Sequence, residues 1–395
     1  MDPIHNPYSP GAGTPPPELA GRDEIRNQVH IAIERIRIGR SSKSLLMIGL
    51  RGVGKTVLLD RIRIDAEAAG HFTVRIEAPE MRSLPGILAP QLRQALLKLS
   101  RIEKAKDRAK RALQALAGFA KLKMKYEDLE VSLDFEPEPG LADNGDLESD
   151  LQDLIVATGE AAQAADSTLL LFIDELQYVP EAQLGYLVTA LHKAAQMMLP
   201  VTLIGAGLPQ LTGQMGKAKS YAERLFDFPL IAALPPEKAR EALSKPAASE
   251  GVEFEPNALD YIVRQTEGYP YFLQEWGKHA WDVATQSPIT LNDCEQASST
   301  AIAALDASFF RVRFDRLTPS EKRYLRAMAE LGGGPHRTGD VADTLQRTSQ
   351  SLAPTRAKLI GKGMIWSPNH GSTAFTVPLF DQYMHRIMPE FSHDS

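Results

Sequence analysis

Gly49-Leu50-Arg51-Gly52-Val53-Gly54-Lys55-Thr56 fits the pattern G-x-x-x-x-G-K-[ST] at every position. Its glycines let the backbone wrap closely and turn successive N–H groups toward one point, which suits phosphate oxygens. The apolar run at Ser44–Ile48 just before it reads as a buried strand, and Val57–Ala68 just after it returns to helical periodicity. A helix starting there adds the positive end of its dipole at the same point. Lys55 is then placed for the β- and γ-phosphates and Thr56 for a Mg2+ ion. Gly49, Arg51, Gly52, Val53, Gly54 and Val57 supply the rest of the cradle. The pattern implies ATP or ADP, with Mg2+, as ligands.

Outward from this loop, Phe72–Ile76, Thr168–Ile173, Val201–Ile204 and Leu225–Ile231 read as further strands, and Leu184–Met198 as a helix. Strands alternating with helices predict an α/β domain with a mostly parallel sheet covered on both faces. The third strand, Leu169-Leu170-Leu171-Phe172-Ile173, runs into Asp174-Glu175. Asp174 at that end is placed to hold Mg2+, and Glu175 to polarise an attacking water. The catalytic set expected from the sequence is Lys55, Glu175 and, as argued below, Arg224.

The chain has 395 residues, enough for about two or three domains. With 43% hydrophobic and 24% charged residues it has the composition of a globular protein. Its net charge of −6 excludes a polycation that coats nucleic acid. One cysteine, Cys294, excludes an internal disulfide framework and fits a reducing compartment, here read as the cytoplasm. No apolar run approaches the roughly 18 residues of a membrane span. Residues 1–18 are Pro-rich and are expected to be a disordered tail.

The mild net charge hides blocks. Residues 101–125 hold nine Lys/Arg against Glu103 and Asp107, a net of +7, and residues 126–153 hold eleven acidic residues and no Lys or Arg. The region 101–150 reads as a charged insertion in the 19–235 domain. It is either a basic helix beside its own acidic partner or a nucleic-acid contact under an acidic flap. Glu237–Ser249, Pro256–Glu267, Tyr271–Ala284 and Asn292–Leu305 read as four helices, a small helical domain over 236–312. After it, Ser320–Leu331, Thr338–Leu345 and Ser349–Lys362 are helical, and a hairpin follows through Thr373–Val377. Three helices and a hairpin are the winged-helix order, giving a third domain over 313–395. Residues 311–395 hold twelve Lys/Arg and eight Asp/Glu, a net of +4. Arg347, Arg356, Lys358 and Lys362 lie on or beside its third helix and are the candidate contacts to double-stranded DNA. The alternative is that this domain docks protein or packs on the helical domain.

Together these motifs resemble the AAA+ and related STAND P-loop ATPases. Leu19-Ala20-Gly21-Arg22-Asp23-Glu24 resembles their entry motif, which implies that Gly21 and Arg22 lie beside the adenine. Gly268-Tyr269-Pro270 resembles the G-x-P motif of the helical lid, which implies that Pro270 touches adenine. The overall likeness is to bacterial and archaeal ATPases of the origin-recognition and replication-initiator type, in which a winged helix follows the lid. Two departures stand out. Gly205-Ala206-Gly207 follows the fourth strand where a polar sensor is expected, with Gln210 the nearest substitute, and Tyr271 falls where lids carry a sensing arginine. Arg224 matches the position of an arginine finger, which would act on a neighbouring copy and implies self-association. Three readings follow: a DNA-associated ATP switch; a STAND-like signalling or stress and defence regulator acting on an unidentified protein partner; and a mobile-element targeting ATPase.

Overall fold

The computed structural model describes residues 1–11, 13, 15–78, 83–123 and 136–391. Lys125 of the basic block, and Glu127, Asp128, Glu130 and Asp134 of the acidic one, lie outside the described residues. By contacts the chain divides into two units, Arg22–Gly49 with Lys55–Ile231, and Met1–Gly21 with Leu50–Gly54 and Ala232–Ser395.

The first unit is an α/β layer structure. Its elements in chain order are α1 (Asp23–Arg37), β1 (Ser44–Ile48), α2 (Lys55–Ala68), β2 (Phe72–Glu77), α3 (Leu84–Leu99), α4 (Lys106–Lys123) and α5 (Leu147–Ala164). Then follow β3 (Leu169–Asp174), α6 (Glu181–Gln196), β4 (Val201–Gly207), α7 (Gln210–Ala218), α8 (Ala222–Leu225) and β5 (Phe226–Asp227). The five strands pair in the order β2-β3-β4-β1-β5, and every pair is parallel. Every residue of β1, β3 and β4 is buried, the condition of a strand covered on both faces. Crossover connections force parallel pairing, and they bring the C-terminal ends of β1 and β3 to the same edge of the sheet. The fifth strand is shorter than Leu225–Ile231. Pro229 interrupts it, and its pairing with β1 continues only as an isolated bridge between Ile48 and Leu230.

Residues 101–150 are less of an insertion than the charge pattern suggests. Ala109, Ala112, Leu113, Leu116 and Phe119 of α4 are buried in one core with Leu151, Leu154 and Ile155 of α5. Each fully buried leucine or phenylalanine there contributes about 1.5–3 kcal/mol. Three of the basic residues in and just before α4 pair locally: Lys104 with Asp166 at 3.0 Å, Arg108 with Glu160 at 2.9 Å, and Arg111 with Glu138 at 3.4 Å. Of these partners only Glu138 belongs to the acidic block 126–153; Asp166 and Glu160 lie on or just after α5.

The second unit is mainly helical. It contains α9 (Pro236–Ser249), α10 (Pro256–Thr266), α11 (Pro270–Val283), α12 (Leu291–Leu305), α13 (Arg311–Phe314) and α14 (Pro319–Glu330). They are followed by β6 (His336–Arg337), α15 (Thr338–Thr344), α16 (Ser349–Gly361), β7 (Ile365–Trp366), β8 (Ser372–Phe375) and α17 (Phe380–Ile387). The last three strands form an antiparallel sheet in the order β6-β8-β7. A π turn at Asp306–Phe310 joins α12 to α13 without a linker, so the boundary drawn at 312/313 falls inside a continuous helical stretch. The rings of Phe310 and Tyr383 stack at 5.1 Å, and Phe310 meets Phe380 at 5.8 Å, tying that stretch to α17. Cys294 is buried on α12, and burial pushes its thiol up to about 12. Pro354 lies inside α16, which runs through it from Ser349.

The N-terminal residues correct the expectation of a disordered tail. Tyr8 is buried at 3% exposure, donates its hydroxyl to the Leu243 carbonyl and packs its ring on Gly277. Asn6 Nδ2 donates to Asp282 at 2.9 Å, and Trp281 Nε1 donates to the Asp2 carbonyl at 3.0 Å. Prolines restrict the free chain, so docking this segment costs less entropy than its lack of secondary structure suggests. No helix among the described residues is long and apolar enough to cross a membrane.

Candidate nucleotide-binding site

The chain leaves β1 at Ile48 and enters α2 at Lys55, so the glycine-rich loop is the connection from a buried strand to a helix N-terminus. Gly54 has φ +86°, and a Cβ built there would meet nothing within 4 Å. The loop thus has both the left-handed conformation that only glycine adopts cheaply and an open face where a phosphate can approach the backbone. Lys55 is buried at 7% exposure, and its Nζ donates to the Gly49 carbonyl at 2.9 Å. A buried ammonium needs a partner, and this carbonyl fills the role that a phosphate oxygen would take.

Asp174 ends β3 at 2% exposure. Its carboxylate accepts from the Thr56 hydroxyl and, at 2.9 Å, from the Glu175 N–H. Burial raises its pKa above the ordinary carboxylate value; Thr56 and Arg75 oppose that, and the Glu175 charge adds to it. A buried carboxylate joined to the Thr56 hydroxyl is the hard-oxygen set that suits Mg2+. Glu175 takes the left-handed region at φ +52°, a strain of about 1–2 kcal/mol that local structure must hold in place. Gln177 does so. Its Nε2 donates to Glu175, and its Oε1 accepts from the Leu208 N–H at 3.0 Å.

Two residues of this site were not anticipated. Gln177 follows Glu175 by two positions and is buried, while Arg75 sits on β2, beside the Asp174 strand. The alternation in Phe72-Thr73-Val74-Arg75-Ile76-Glu77 is the only sequence signal for Arg75. It puts Val74 and Ile76 in the core, with Arg75 on the other face. The missing polar sensor on β4 also has a packing reason. A Cβ at Gly205 would lie 2.4 Å from Leu176 Cδ1 and 2.6 Å from Leu46 Cδ2, so a side chain there would require both leucines to move. Gln210 stands at the start of α7 with its Oε1 buried.

Residues 18–204, which span the loop, Asp174 and Glu175, match the model of the family described as AAA ATPase domain. This segment is an AAA ATPase domain. Residues 307–384 match a domain of unknown function, DUF8462. The chain is similar to an uncharacterised HTH-type transcriptional regulator of Methanocaldococcus jannaschii. It is 23% identical over 343 residues, which cover 83% of this chain and 79% of the relative. It is also similar in structure to the Walker-type ATPase of Pyrococcus abyssi, with a TM-score of 0.57, 16% identity, and coverage of 94% of this chain and 97% of that one. At that identity the likeness establishes the fold alone. The Orc1 protein of Aeropyrum pernix, solved in complex with DNA, aligns with a TM-score of 0.47, 14% identity and 94% coverage of both chains.

Within the AAA ATPase domain the structure brings together Gly49, Lys55, Thr56, Asp174 and Glu175, and Val57 follows on the first turn of α2. Arg22 precedes α1, is buried, and has its pKa lowered by desolvation. Arg224 lies exposed on α8.

The second unit holds the remaining candidates. Val53 is buried at 1% exposure and Gly52 has φ +82°. The Gly52 carbonyl accepts from the Tyr271 N–H at 3.3 Å, and the Tyr271 ring stacks on Phe309 at 4.7 Å. The Arg51 N–H donates to the Thr376 carbonyl at 3.3 Å, so that amide points at protein. Gly21 packs on the Lys238 side chain. Pro270 is the first residue of α11, where its missing N–H costs nothing. The turn before it depends on Gly268, at φ +70°, whose added Cβ would lie 2.3 Å from the Leu234 carbonyl oxygen.

Two of the four basic residues proposed as DNA contacts are committed elsewhere. Arg356 donates through Nε to Thr373 Oγ1 at 2.9 Å and through its NH2 group to the Ser372 carbonyl at 3.0 Å, fastening α16 to β8. Lys362 Nζ pairs with the buried Glu321 at 2.7 Å and donates to the Arg316 carbonyl at 2.9 Å. Both charges thus have internal partners, and Lys362 is nevertheless exposed. Arg347 and Lys358 are exposed.

Proposed function

We propose that this chain is an ATP-binding and ATP-hydrolysing molecular switch that associates with duplex DNA through residues 313–395, read as a winged helix. The observation that carries the enzymatic half is the cluster of Lys55, Thr56, Asp174 and Glu175 at the strand ends of an AAA ATPase domain. Lys55 exchanges the Gly49 carbonyl for phosphate oxygens. Thr56 and Asp174 would hold Mg2+, which when bound neutralises phosphate charge. Glu175 orients and polarises the attacking water, and Gln177 holds the carboxylate with which it acts. Arg224 acts on the site of a second copy, so turnover rises with self-association.

The DNA half rests on the element order α14-β6-α15-α16-β7-β8, on the exposed Arg347 and Lys358, and on the regulator-like relative. The internal pairing of Arg356 and Lys362 favours a second reading, a STAND-like regulator whose C-terminal domain packs or docks protein. Measuring ATP turnover and duplex affinity for the full chain over a salt series separates them. DNA association predicts an affinity that falls with salt, at about −0.9 in log–log slope for each phosphate contact. Turnover with no duplex affinity at low salt leaves the regulator reading. No nucleotide binding removes both.

A further inference from the structure

Among the described residues, Arg75 is the cation that joins the Asp174 carboxylate from a neighbouring strand. Its NH2 nitrogen lies 3.4 Å from Asp174 Oδ2, its Nε lies 2.8 Å from Asp60 Oδ1 on α2, and its NH1 nitrogen donates to the Ile76 carbonyl at 2.6 Å. Its side chain is 23% exposed, and that of Asp174 only 3%. The guanidinium therefore has two carboxylates of unequal claim. Asp60 takes the shorter bond, and Asp174 the longer one.

We propose that Arg75 is a positioning residue that occupies Asp174 as a counter-ion in the metal-free state and yields it when Mg2+ enters, withdrawing onto Asp60. This rests on the nucleotide-site reading above. A buried carboxylate without a cation costs several kcal/mol. Arg75 offsets part of that cost until a divalent ion binds, and the same charge opposes that ion at the same oxygen. Asp60 lowers the barrier to exchange, because Arg75 leaves one anion without losing the other. The chain thereby sets how much Mg2+ it needs before nucleotide is held tightly.

The test titrates MgCl2 into protein with N-methylanthraniloyl-ADP and reads the half-saturating Mg2+ concentration by fluorescence anisotropy. Arg75→Gln removes the competitor, and the midpoint should fall by roughly tenfold, the scale on which outer-shell partners act on metal affinity. Asp60→Asn withdraws the alternative partner, leaves Arg75 wholly on Asp174, and should raise the midpoint. Arg75→Lys keeps the charge without the fork and should fall between wild type and Arg75→Gln. A merely structural Arg75 would lower the melting temperature and weaken nucleotide alike with and without Mg2+. A midpoint that is unmoved in Arg75→Gln, or that rises, overturns the proposal, as does a fall in Asp60→Asn. A wild-type chain that binds no nucleotide removes the underlying site reading instead.

Discussion

Lys55 Nζ sits 2.9 Å from the carbonyl oxygen of Gly49, inside its own loop. The ammonium has an internal partner to leave, so its loss should cost ligand more than fold. Lys55→Ala should abolish detectable fluorescent-nucleotide binding while lowering the melting temperature by no more than a few degrees. Nucleotide affinity within threefold of wild type would remove Lys55 from the phosphate site.

Glu175→Gln keeps the size and the left-handed backbone contacts but loses the carboxylate that polarises water. Turnover should drop by about 10²–10⁴, the range of general acid–base contributions, with nucleotide affinity retained. Gln177→Ala should give a milder loss of turnover with the same retained binding, because it releases Glu175 without removing it.

Arg356 and Lys362 should separate cleanly from Arg347 and Lys358. Arg347→Ala with Lys358→Ala should weaken duplex binding and reduce its salt slope by about two, leaving stability within roughly 0.5 kcal/mol. Lys362→Met should instead destabilise the chain by about 1–3 kcal/mol, because it leaves the buried Glu321 with the Thr318 N–H but no cation. Thermal melts beside filter binding distinguish the two patterns.

The pH dependence of that pair has a definite sign. Burial raises the Glu321 pKa, but Lys362 and the N–H and hydroxyl of Thr318 outweigh it, leaving the carboxyl below its ordinary value. A carboxyl depressed in the folded state stabilises above its unfolded pKa of about 4.3 and loses that contribution as pH falls through the folded value. Melting temperature should therefore decline on acidification below about pH 4.5. Lys362→Met should flatten this decline.

Gly268→Ala places a Cβ 2.3 Å from the Leu234 carbonyl oxygen at a φ of +70°. It should destabilise the helical region by more than about 2 kcal/mol, the scale of combined overpacking and backbone strain. A melting temperature unchanged from wild type would show that the turn can open to admit it.

The sheet was legible because its strands are fully buried: Ser44–Ile48 and Leu169–Asp174 are apolar runs too short for helices, and crossover helices then fix parallel pairing. The loop and the two carboxylates were legible because their chemistry is local in sequence. What stayed hidden is tertiary. Arg75 meets Asp174 across 99 positions, and nothing in β2 names that partner. The internal partners of Arg356 and Lys362 stayed hidden because charge on a helix does not reveal whether an acceptor lies behind it. The β6 strand, His336–Arg337, is two polar residues long and carries no pattern. The helix α17 carried one, with Phe380, Tyr383, Met384 and Ile387 at helical spacing, and it was passed over. The packed N-terminal segment was hidden because prolines and a lone tyrosine look alike in a free and in a docked chain.

Cys294 is buried, with its thiol pushed up to about 12, so the native protein offers maleimide reagents almost no thiolate at neutral pH. For site-specific spectroscopy the chain should behave as one without a reactive cysteine. A probe attached through Lys358→Cys or Glu223→Cys would therefore report from a single place, on wild-type background chemistry, without first removing Cys294 and disturbing the helix that holds it.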